Sequence, residues 1–187
     1  MDKRCCIIFP NQLFRESIFI DSDYKIFLIE EDLFFNQYNF HKQKISFHRS
    51  SMKFYEDYLI KKGLDVSYIN SYEKQSGIIE LIKNISNQGY QKVEMYDPVD
   101  YLLNRRIKRV SKELNIDLVV HESKLFINSN EELKYFFKDS KQKFFQTTFY
   151  KSERKKRNIL INSKGGPEGE EWTYDIQNRK KFPKDKA

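Results

Sequence analysis

Apolar residues along this chain fall into two alternating patterns. Short unbroken runs occur at Cys5-Cys6-Ile7-Ile8-Phe9 and Ile26-Phe27-Leu28-Ile29, and both read as strands buried on two faces. The first ends at Pro10-Asn11, a turn signal, and the second runs into Glu30-Glu31-Asp32. Helical spacing follows at Ile45, Met52, Tyr55 and Leu59, which predicts a helix over 44–62 with Gly63 as its C-terminal cap. Further strands are expected at 65–69, 92–96 and 116–120. Between them, Ile78, Leu81, Ile82 and Ile85 mark a helix over 77–86. Val99, Leu102, Leu103, Ile107, Val110 and Leu114 mark the buried face of another. Asp97-Pro98 is its expected start, with Asp as N-cap and Pro at the first helical position.

This alternation predicts an α/β fold: a Rossmann-like, doubly wound, five-stranded parallel sheet with flanking helices. Ligands of such sheets bind beyond the carboxyl ends of the strands, near the switch point. That directs attention to segments 10–14, 30–35 and 96–100. After residue 128 the pattern changes. Ser129-Asn130-Glu131-Glu132 resembles a capping box before a short helix over 133–138, and 147–161 reads as another helix. Gly165, Gly166 and Gly169 then loosen the backbone. The expected organisation is a Rossmann-like domain over 1–128, helices packed on or beside it over 129–164, and a linker over 165–187. Trp172, Tyr174 and Phe182 have nothing nearby in sequence to bury them, so the linker is expected to be mobile until a partner covers it.

Composition changes this picture only in places. A chain of 187 residues fits one domain plus a tail, and with 16 Phe and 12 Tyr the aromatics must supply much of the core. No apolar run is long enough to span a bilayer, so the chain is expected to be soluble, cytoplasmic and without a membrane partner. The 2 cysteines are adjacent, which in a strand points them to opposite faces. They are too few for a thiolate-held iron–sulfur cluster. The formal charge of +7 is compatible with a nucleic-acid partner. The cations Lys151, Arg154, Lys155, Lys156 and Arg157 fit either a solvated helix face or a phosphate contact.

Chemical motifs are sparse. No glycine-rich dinucleotide fingerprint or P-loop follows a strand, and Ser50-Ser51 lacks a nucleophile-elbow context. His41 and His48 lie two helical turns apart, unlike metal-ligand spacing. No catalytic or metal-ligating residue is assigned. The stretch from Leu33 to Phe40 fits neither the strand nor the helix period. It either packs onto a neighbouring helix or walls a pocket for a flat heteroaromatic ring.

Leu33-Phe34-Phe35, Phe40-His41-Lys42-Gln43-Lys44-Ile45 and His48-Arg49-Ser50-Ser51-Met52-Lys53 together carry a family resemblance. So do Asn11-Gln12-Leu13, Glu94-Met95-Tyr96-Asp97-Pro98, the Phe149-Tyr150 basic helix, and Trp172-Thr173-Tyr174-Asp175 continuing to Arg179-Lys180. The chain resembles the photolyase-related proteins, the bacterial cryptochrome and photolyase group whose full-length members carry an iron–sulfur cluster. The resemblance implies an N-terminal antenna or scaffold domain of a DNA-repair flavoprotein, truncated or split before its helical domain. FAD, the iron–sulfur cluster and damaged DNA would belong to that helical domain or separate subunit, and this chain alone would be inactive. A lumazine- or flavin-type antenna chromophore would sit against Asn11, Gln12, Glu30, Phe34, Phe35 and His41. Two other readings stand beside it: a stand-alone Rossmann-like binding or interaction module without chromophore, and a basic nucleic-acid-binding protein.

Overall fold

The computed structural model describes residues 3–20, 23–138, 140, 142–174 and 181. Five strands, β1 (Arg4–Ile8), β2 (Lys25–Ile29), β3 (Asp65–Ile69), β4 (Lys92–Tyr96) and β5 (Asp117–His121), form one sheet in the order β3-β2-β1-β4-β5. Every pairing is parallel, with Ile7 opposite Phe27, Phe27 opposite Ser67, Cys6 opposite Glu94 and Met95 opposite Val120. The helices between the strands are α1 (Asp32–Phe35), α2 (Lys42–Lys61), α3 (Ile78–Asn87) and α4 (Tyr101–Glu113). The predicted five-stranded parallel α/β fold is therefore the observed one.

The period of two along each strand divides the core. Cys5, Ile7, Phe27, Ile29, Val93 and Met95 meet Leu81, Ile82, Ile85, Leu103 and Ile107 of α3 and α4 on one face. Cys6, Ile8, Ile26 and Leu28 meet Met52, Tyr55 and Leu59 of α2 on the other. Both cysteines are free and buried, on opposite faces as expected, and burial pushes the Cys5 thiol up to about 12, which leaves it inert. Gly63, at φ +83°, ends α2. Its N–H donates to Ile60 O and the next N–H, of Leu64, donates to Leu59 O, as the sequence anticipates for this cap.

The expected start of α4 needs correction. Asp100, not Asp97, is its N-cap, and its carboxylate accepts from Leu103 N at 2.8 Å. Asp97 Oδ1 instead accepts from Val99 N at 2.8 Å, holding a turn in which Val99 takes φ +57°. A β-branched residue in the left-handed region costs about 1–3 kcal/mol. Val99 is accordingly exposed rather than part of the buried face, and Leu102, beside the fully buried Leu103, is exposed as well. Leu33 to Phe35, expected to be irregular, form α1, capped by the Glu31 carboxylate on Leu33 N at 2.7 Å.

The chain divides into two compact units, Met1–Ile127 and Asn128–Ala187. The second holds α5 (Asn130–Phe136), opened by the Ser129/Glu132 capping box, and α6 (Gln146–Arg157), closed by left-handed Asn158. Past α6, Ile161 pairs with Pro167 in an antiparallel bridge. Trp172 lies under cations of α6, with Arg154, Lys155 and Lys151 at 5.2, 5.3 and 5.7 Å from its ring. Trp172 therefore finds cover within its own unit, and Tyr174 donates to Gly169 O at 2.7 Å while remaining exposed. Phe182 lies outside the described residues. Among the described residues no helix is long and apolar enough to cross a membrane.

Candidate functional site

The strand order reverses between β1 and β4, so the switch point lies beyond their carboxyl ends. The turn after β1 is closed by Gln12 N donating to Phe9 O at 2.9 Å. Gln12 is buried, and its Nε2 donates to Tyr96 O at 3.2 Å and Asp97 O at 2.9 Å. Because both partners are carbonyls, the amide orientation is fixed and Oε1 is left without a donor. Asn104 donates to Asp97 Oδ1 at 2.8 Å, which leaves its own Oδ1 unmatched, and Asn11 Oδ1 is unmatched too. The switch point thus presents buried acceptors that suit the O–H groups of water or the O–H and N–H groups of a ligand.

The other sequence candidates lie beside α2. Glu30 is fully buried, and Arg49 grips it bidentately, Nε to Oε1 and Nη2 to Oε2, each at 2.6 Å. Tyr68 Oη and Ser71 N also donate to it, at 2.6 and 2.9 Å. Burial opposes ionisation of Glu30, yet these donors outweigh it and hold the carboxyl at about 2. Phe35 is buried against α2, its ring 6.1 Å from that of His48 and 5.9 Å from the Arg49 guanidinium. Phe34 packs against both apolar clusters. His41 is the N-cap of α2, its Nδ1 accepting from Gln43 N at 3.2 Å. Glu30, Phe35 and His41 thus belong to the support of α2, while Asn11 and Gln12 belong to the switch-point turn.

The open space these elements frame is a groove of about 710 Å³ along α2. Leu13 and Arg15, in the loop after β1, form one wall. Phe47, Ser50, Ser51 and Phe54 form the other, on a face of α2 separate from the buried Met52 and Leu59. Tyr55 and Tyr58 brace the two walls by donating to Phe14 O at 2.8 Å and Arg15 O at 3.3 Å, and their rings stack at 5.9 Å. Phe47 is 72% and Phe54 77% exposed. Its volume, aromatic walls and few hydroxyls suit a flat organic ring. None of the six sequence candidates lines the groove. The available signal was Phe47 and Phe54, two turns apart on α2 and outside its buried stripe.

A second polar cluster lies under the loop between β1 and β2. Glu94 accepts from Tyr24 Oη, from His121 Nε2 at 2.8 Å and from Lys92 Nζ at 3.2 Å. Burial resists its ionisation, but these partners hold its carboxyl below the ordinary range. Among the described residues no group of three or more His, Cys, Asp or Glu could hold a metal ion.

Fold and groove together define a doubly wound α/β protein with an open aromatic groove between the helix after β2 and the loop after β1. The chain belongs to the deoxyribodipyrimidine photo-lyase-related protein family, whose model matches residues 6–187. It is also similar to an uncharacterized protein of Acanthamoeba polyphaga mimivirus, 35% identical over 191 residues that cover 97% of this chain and 96% of the relative.

Proposed function

We propose that this chain is the antenna-type half of a photolyase-related flavoprotein, holding a flat lumazine- or flavin-type chromophore in the α2 groove. The chromophore would supply light absorption and pass its excitation to a flavin elsewhere. The chain's own residues bind and orient it: Phe47 and Phe54 contact the ring faces, and the Tyr55 and Tyr58 hydrogen bonds tie the two groove walls together. Gln12 pins the loop that carries Leu13 and Arg15, and Glu30 fixes Arg49 on α2. FAD, an iron–sulfur cluster and the contact with damaged DNA are assigned to a helical partner, either a further domain or a separate subunit.

The observation that carries this reading is the aromatic groove on a photolyase-related fold. The nucleic-acid alternative draws little support from the basic helix α6. Arg154 is buried and donates to Ile159 O, Lys156 pairs with Glu132, and Arg157 pairs with Glu132 and Glu153. Lys151 and Lys155 lie over Trp172.

A fluorescence titration of the purified chain with a ribityl-lumazine tests the proposal. Saturable quenching is expected, weakened about tenfold in Phe54→Ala, with no light-dependent loss of DNA lesions from this chain alone. Absence of saturable binding by both lumazine and flavin would leave the fold as a binding module without a chromophore.

A further inference from the structure

Beside the aromatic groove lies a smaller cleft of about 280 Å³, lined by Lys42, Ile45, Ser46, Arg49 and Ser50. Ser50 lines both spaces, so the groove and the cleft meet at this residue. The chemistry of the two compartments differs. The groove is aromatic, with Arg15 its one charged side chain, while the cleft combines two cations with two hydroxyls. Lys42 is exposed and makes no ion pair among the described residues. Arg49 is neutralised by Glu30, yet its side chain is 42% exposed and held rigidly by that pairing. The Arg49 guanidinium therefore stands in place before any ligand arrives. Lys42 also begins α2, a helix of 20 residues, where the partial positive charge of the helix end adds to its own.

We infer that the ligand of this site is a flat heteroaromatic carrying a phosphate-bearing tail, its ring in the α2 groove and its phosphate in the cleft formed by Lys42, Ser46, Arg49 and Ser50. This rests on the groove reading above and adds the anionic tail to it. Lys42 supplies the unpaired charge, and the Ser46 and Ser50 hydroxyls donate to phosphate oxygens. An uncharged ribityl chain would use the hydroxyls and leave Lys42 without a partner.

Riboflavin and FMN share one ring and differ by the phosphate, which makes them the probes. Each is titrated into the full chain, with quenching of flavin fluorescence as the readout, at low and high salt. FMN is expected to bind at least about tenfold tighter than riboflavin at low salt, with the ratio shrinking at high salt. Lys42→Ala should bring the FMN affinity down to that of riboflavin. Lys53→Ala, on the same helix but paired with Glu56 and outside both spaces, should preserve the preference. Equal binding of the two flavins would overturn the phosphate assignment while leaving the groove reading standing. A preference for FMN that survives Lys42→Ala would overturn it as well, because the phosphate would then lie elsewhere. Failure of both flavins and of a ribityl-lumazine to bind would remove the groove reading, and the phosphate assignment with it.

Discussion

Glu30 and Glu31 are neighbours at the end of β2, both fully buried, and the fold pulls them in opposite directions. Arg49, Tyr68 and Ser71 overcome the burial of Glu30 and lower it to about 2 from an ordinary 4.5. For Glu31 burial dominates: the Leu33 and Ile78 N–H groups relieve it only in part, nearby Asp32 adds to it, and the carboxyl rises to about 7. The stabilisation from Glu30 is complete above the unfolded value near 4.5 and is lost as pH falls toward 2. That from a neutral Glu31 is complete below 4.5 and is lost as pH rises through 7. Each shift corresponds to roughly 3 kcal/mol at its far limit. Urea midpoints measured across pH should therefore peak near 4.5 to 5 as far as these two groups decide them. Arg49→Leu should flatten the acid limb and cost about 2–3 kcal/mol at neutral pH. Glu31→Gln should stabilise at pH 8 and change little at pH 4. An unchanged alkaline limb in Glu31→Gln would show that Glu31 ionises freely in the folded chain. Neither role is legible in the sequence. Glu30-Glu31-Asp32 reads there as a polar strand end, and the Arg49 that distinguishes Glu30 comes from a separate helix.

At the scale of elements, α2 has two working faces. Met52 and Leu59 are fully buried against the sheet, while Phe47 and Phe54 stand exposed over the groove. Truncating each face should have a different consequence. Met52→Ala should cost about 2–5 kcal/mol in a chemical denaturation curve. Phe54→Ala should stay within about 0.5 kcal/mol of wild type while weakening ring binding. Equal destabilisation by the two would mean that Phe54 is a packing residue. Periodicity revealed only the first face, because a single stripe at helical spacing already accounts for the helix, and extra aromatics then read as incidental. The start of α4 was misread for a related reason. Asp97-Pro98 signals a helix start and a turn equally well, and the turn prevails once Val99 N has taken the Asp97 carboxylate. The strands were legible almost to the residue, since runs such as Cys5 to Ile8 must be covered on both faces and tolerate little else.

At the scale of the whole molecule, the formal charge of +7 does not collect into a free basic face on α6. Glu132 and Glu153 engage Lys156 and Arg157, and the buried Arg154 closes the helix end. Binding of this chain to duplex DNA should therefore be weak, with a shallow dependence on salt. Tight binding that falls steeply with salt would revive the nucleic-acid reading. The first unit contains both apolar clusters of the sheet, and the candidate groove lies entirely within it. The groove was not legible in the sequence, because its walls come from a loop and from the exposed face of a helix, whose meeting depends on the Tyr55 and Tyr58 hydrogen bonds. The central claim is that a flat chromophore sits against α2, and amide chemical-shift mapping of the labelled chain during a ribityl-lumazine titration tests it most directly. The account predicts shifts concentrated at Leu13, Arg15, Phe47, Ser50, Ser51 and Phe54. Shifts centred instead on Asn11, Gln12 and Asn104 at the switch point, or no saturable shifts at all, would contradict it.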